Sequence, residues 1–151
     1  MPNVTKEQAI ETLAYHSGLR LERPDCCTGE CFLDALRPYR GVLPEAAYHD
    51  VMESIRTLAQ DLQKPVLDRE VIASIWSICD LGRAWGVYPG GMLRSNRLIT
   101  DDDTRTLATW IETISSATFW LLTSTPGQDA VEHAFTDYDN PNHSRPLIPA
   151  I

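Results

Sequence analysis

The sequence predicts an all-α protein: an irregular or up-and-down bundle of four to five helices with a non-regular C-terminal tail. Three observations carry that expectation. Apolar residues recur at helical spacings through most of the first 124 positions. Strong helix starts stand at Thr5, Asp68 and Thr100. No segment shows the alternating pattern of a half-buried strand.

Taken in order, Thr5 and Gln8 form a capping box, the hydroxyl serving the third amide while the Gln side chain reaches back. A first helix follows to about Ser17, with a narrow apolar stripe of Ala9, Ile10, Leu13 and Ala14 and a stop at Gly18. The stripe is expected to pack on one side only. Pro24 disfavours helix at Arg23, after which Phe32, Leu33 and Leu36 suggest a short helix ended by Pro38 and Gly41. Pro44 and Glu45 then open a clear amphipathic helix that runs to Leu62 and is broken by Lys64 and Pro65.

The segment from Asp68 to Trp85 is the most evenly apolar of the chain. Val71, Ile72, Ile75, Trp76, Ile78, Cys79, Leu81 and Trp85 cover more than one stripe, which predicts a helix packed on several sides. Gly82 would admit a neighbouring helix, and Gly86 would take the left-handed stop position. Tyr88, Pro89, Gly90 and Gly91 make a turn, and Met92 and Leu93 a single helical turn. Thr100 with Asp101, Asp102 and Asp103 starts a long helix that should reach about Thr123. Residues 1–124 are thus the bundle, and 125–151 a short helix and extended tail in which Leu147 and Ile148 could dock on the body.

At 151 residues the chain can bury one core without disulfide or metal. Its apolar share of 43% and charged share of 23% exclude general disorder. The net charge of −8 is spread over both halves, so no basic region exists to hold a nucleic acid. No run approaches a membrane span and the amino terminus carries no secretory pattern, so a cytoplasmic protein with reduced cysteines is expected.

Chemistry is sparse. Cys26, Cys27 and Cys31 could offer thiolates to zinc, but the spacing is not a standard zinc pattern and buried thiols are the plainer account. A redox role lacks both CxxC and a neighbouring cation. Glu45, His49 and Glu53 share a face opposite the apolar one and read as solvated; His16, His133 and His143 have no partner at a meaningful spacing. Asp80 and Arg83 interrupt the central helix and can pair across one turn. With Trp85, Tyr88, Arg94 and Asn96 they could instead line a polar ligand pocket beside the Gly90–Gly91 loop. No nucleophile elbow or phosphate loop is present, so enzymatic function stays undecided and is disfavoured. The expectation is a small acidic protein without a cofactor, acting by protein–protein binding as an adaptor, inhibitor or immunity-like antagonist, or as a homodimer. A small-ligand site and zinc binding are the rivals.

Overall fold

The computed structural model describes residues 4–142. Helices are the regular structure of these residues, which include no strand; an isolated bridge joins Leu36 to Tyr39. His143, Leu147 and Ile148 lie outside the described residues, and so does any docking of the tail.

The first helix, α1 (Lys6–His16), begins with both halves of the capping box, Thr5 Oγ1 accepting from the Gln8 amide at 3.1 Å and Gln8 Oε1 accepting from the Thr5 amide at 2.9 Å. It ends at Gly18, whose φ of 79° is one that glycine adopts freely. Residues 19–44 form no helix. The spacing of Phe32, Leu33 and Leu36 does bury all three, but in consecutive turns: local bonds such as that from the Leu36 amide to the Leu33 carbonyl alternate with bonds to other elements, the Phe32 amide going to His16 Nδ1.

Next comes α2 (Glu45–Thr57), which leaves the helical path at Leu58 and resumes as α3 (Ala59–Leu62). The single expected element is therefore interrupted at Leu58, although the Leu58 amide still donates to the Ser54 carbonyl at 3.0 Å and the Leu62 amide to the Leu58 carbonyl at 3.0 Å. The chain continues through α4 (Arg69–Gly82), capped by Asp68, into a π-helical turn over Arg83–Val87. Gly86 is not a left-handed stop: it is buried, and a Cβ there would overlap the Leu107 side chain. After α5 (Met92–Ser95), the long α6 (Asp101–Thr123) starts where Thr100 Oγ1 accepts from the Asp103 amide at 3.1 Å. Last are α7 (Gln128–Ala134) and α8 (Thr136–Asp139).

Four helices make a ring: α1 packs against α2 and α4, and α6 closes it against the same two. One core fills the ring, with Leu13, Phe32, Met52, Ile55, Ile78, Leu107, Ile111 and Ile114 sealed from water. The first helix therefore packs on two sides, and its buried set includes Thr12 and His16. Gly82 lies against Ile111 and Gly86 against Leu107, so α4 and α6 run antiparallel at close approach. Beyond Ser124 the chain stays attached, since Phe135 and Ala134 belong to the same core. Arg56 of α2 holds α8 through Asp139 at 3.1 and 2.6 Å and lies 4.5 Å from the Phe135 ring centre.

Candidate functional site

The densest polar constellation is buried under the 24–31 loop. His16 falls on the apolar stripe of α1, seven residues after Ala9 and three after Leu13, and is fully buried. Asp50 stands on α2 between Ala47 and Ser54, both buried. The Asp50 carboxylate accepts from the Thr28 amide at 3.1 and 3.2 Å, the Thr28 hydroxyl at 2.6 Å, the Gly29 amide at 2.9 Å and His16 Nε2 at 3.0 Å. Burial pushes its pKa up, but the His16, Thr28 and Gly29 bonds together outweigh this and hold the group below the ordinary 3.8. One carboxylate thereby fastens the loop to two helices.

His16, Cys27 and Asp50 bring their ligand atoms within 4.8 Å of one another, the one such metal-like group among the described residues. The set does not fit a transition metal. The Phe32 amide donates to His16 Nδ1 at 3.1 Å, so that nitrogen carries no proton, and the Nε2–H must point to Asp50. No lone pair is left for an ion, or for service as a base toward Cys27. Burial pushes the Cys27 thiol up to about 11, with a Thr12 hydrogen bond opposing, which is the reverse of what thiolate chemistry needs.

The three cysteines singled out above also spread apart. Cys26 and Cys27 both reach Thr12 Oγ1, at 3.3 and 3.5 Å, whereas the Cys31 thiol donates to the Tyr15 carbonyl at 3.1 Å. The loop is tied to α1 by sulfur as well as by oxygen. Neither His16 nor Asp50 was singled out from the sequence as a partner, because the pair is 34 residues apart. The signal was present in their spacing on the apolar faces.

Of the six residues around the Gly90 turn, Trp85, Arg94 and Asn96 have side-chain partners within the fold. Asp80 is exposed and makes no ion pair with Arg83 among the described residues, since solvent already satisfies it. The Trp85 ring has the Arg37 guanidinium 5.4 Å from its centre. Arg94 Nη1 donates to the Val87 carbonyl at 2.8 Å and closes the end of the π turn; Asn96 Nδ2 donates to the Met92 carbonyl at 2.9 Å and closes α5. Tyr88 is half-exposed. Gly91 is required here for packing, because a Cβ would meet the carbonyl oxygens of Ala84, Tyr88 and Trp85. A separate cleft of about 760 Å³ opens on the other side of Arg37, between the Gly29–Leu43 stretch and the start of α2. Its polar lining mixes Arg37 and Arg40 with Glu30, Asp34 and Glu45, so it presents no single charge.

Elsewhere the surface departs from the ordinary on the outer side of α4 and the adjoining edge of α6. Trp76 is 71% exposed in mid-helix, Phe119 61% and Leu122 42%. The Cys79 thiol meets the Ile111 carbonyl at 3.9 Å, and the antiparallel register then sets Ile72 and Trp76 level with residues 115–119. The exposed Phe119 thus lies on the part of α6 that runs beside this stretch of α4. Comparison with protein-family models, with curated proteins and with solved structures finds no match.

Proposed function

We propose that this protein acts without catalysis, by binding another protein through the outer side of α4 and the neighbouring edge of α6. The observation that supports the reading is Trp76: a large aromatic side chain, 71% in water, on a helix whose other side is the molecular core. Trp is the residue type most enriched among interface anchors, and Phe119 and Leu122 widen the apolar area around it. A catalytic role finds less support, since the buried His16 has both nitrogens committed and the Arg94 and Asn96 side chains are engaged with backbone carbonyls. The four free thiols suit a reducing compartment, and the reading places the protein in the cytoplasm.

A benzophenone side chain in place of Phe119, activated in cells, tests this. Adducts are expected from position 119 and not from position 21, where Leu21 is 94% exposed but lies in the loop after α1. Equal or absent adducts at the two positions overturn the reading.

A further inference from the structure

The outward residues of α4 are Arg69, Ala73, Trp76 and Asp80, all exposed, and their spacing of four, three and four is that of a coiled-coil seam. Along this seam the order is cation, small, large, anion. The run is symmetric about a point between residues 74 and 75: Arg69 and Asp80 are equally far from it on opposite sides, and so are Ala73 and Trp76. A second copy of the same helix, turned end for end about a two-fold axis through that point, would set each cation opposite an anion and each Trp opposite an Ala. Among the described residues neither Arg69 nor Asp80 has an ion-pair or side-chain hydrogen-bond partner, which leaves both to meet one on a second copy.

We infer that two copies of this chain associate through α4, antiparallel about a two-fold axis between Ala73 and Trp76. The inference rests on the protein-binding reading above and names the partner. Isologous contacts of this kind need a surface that is complementary to itself, and the charge order of α4 supplies it. The Ala73 side leaves the space that the indole of the partner fills, a small-against-large arrangement that flat aromatic faces lack. With 14 residues α4 is about 21 Å long, too short to bury the roughly 800 Å² per partner of a standard interface alone. Phe119 and Leu122 on the adjoining α6 extend the contact on one side. The dimer is accordingly weak, with a dissociation constant on the order of micromolar to a hundred micromolar.

Sedimentation equilibrium of the full chain over that concentration range tests the inference. The mass should move from 16.9 kDa towards twice that value. Arg69→Asp alone and Asp80→Arg alone should each weaken association about tenfold by setting like charges opposite one another, while the double exchange R69D/D80R restores it to within about threefold. Trp76→Ser should abolish the dimer with an unchanged helical circular dichroism signal, the residue being outside the core. A monomer at every concentration, or a dimer indifferent to the charge exchange, overturns the inference. So does a dimer that forms only after removal of residues 143–151, which would give the face to the chain's own terminus. Adducts from position 119 to a different protein, in a chain that stays monomeric, would leave the protein-binding reading standing and remove the self-association alone.

Discussion

Asp50 is a buried anion with no cation beside it, stabilised by neutral donors from a loop and a neighbouring helix. Its folded pKa lies below the ordinary value of 3.8, so its contribution to stability is complete above that pH and fades as pH falls through the lower folded value. Asp50→Ala leaves the Thr28 and Gly29 amides and His16 Nε2 without an acceptor. We expect a loss of about 3 kcal/mol at neutral pH. Urea unfolding of both proteins should show the gap narrowing below pH 3.8, and a gap that stays constant into acid would refute the assignment. The opposite sign is expected at Ser74, whose buried hydroxyl has no partner. Ser74→Ala should raise stability by about 1 kcal/mol in the same assay, because it removes a desolvated polar group and leaves the helix intact.

Elements were legible in the sequence where their ends are fixed by neighbours along the chain. Thr5 with Gln8, Asp68 and Thr100 each announced a helix, and each does cap one. Elements fixed by distant side chains were not legible. The 19–44 stretch takes its shape from Asp50, His16 and Thr12, and the same Phe32, Leu33 and Leu36 spacing that suggested a helix serves a turn once those anchors act. The π turn at Arg83–Val87 belongs to this second kind, with Gly86 packed against Leu107. The C-terminal helices are held in part by one guanidinium, that of Arg56, shared by Asp139 and the Phe135 and Tyr138 rings, beside the core contacts of Ala134 and Phe135. Arg56→Ala should cost about 1 kcal/mol, a modest sum because the pair is partly exposed. Amide exchange should accelerate in α7 and α8 while α1 and α4 keep their protection; uniform acceleration would show instead that those helices do not open separately.

For the whole molecule, charge and apolar surface act against each other. A net charge of −8 repels copies at long range, whereas the proposed α4 seam would attract them at contact. If the seam is used, folding and association are linked, and the melting temperature should rise with protein concentration by several degrees across a hundredfold range. Trp76→Ser should flatten that dependence. The candidate face was hidden from sequence reasoning because Trp76 sits among so many apolar neighbours that it reads as core. Only the placement of α6, on the Cys79 side of α4, shows which aromatic was left outside.

The shielding of sulfur in this fold gives each region its own chemical clock. Burial raises the Cys27 and Cys79 thiols to about 11 and raises Cys31 as well, so an alkylating reagent at neutral pH finds little thiolate until the surrounding structure parts. Cys79 is covered by α6, Cys27 and Cys31 by the loop that Asp50 fastens, and Cys26 is half-open already. Mass spectrometry of timed maleimide labelling should therefore find Cys26 modified first and Cys79 on a schedule separate from Cys27 and Cys31. The four thiols then become four reporters of where the molecule breathes.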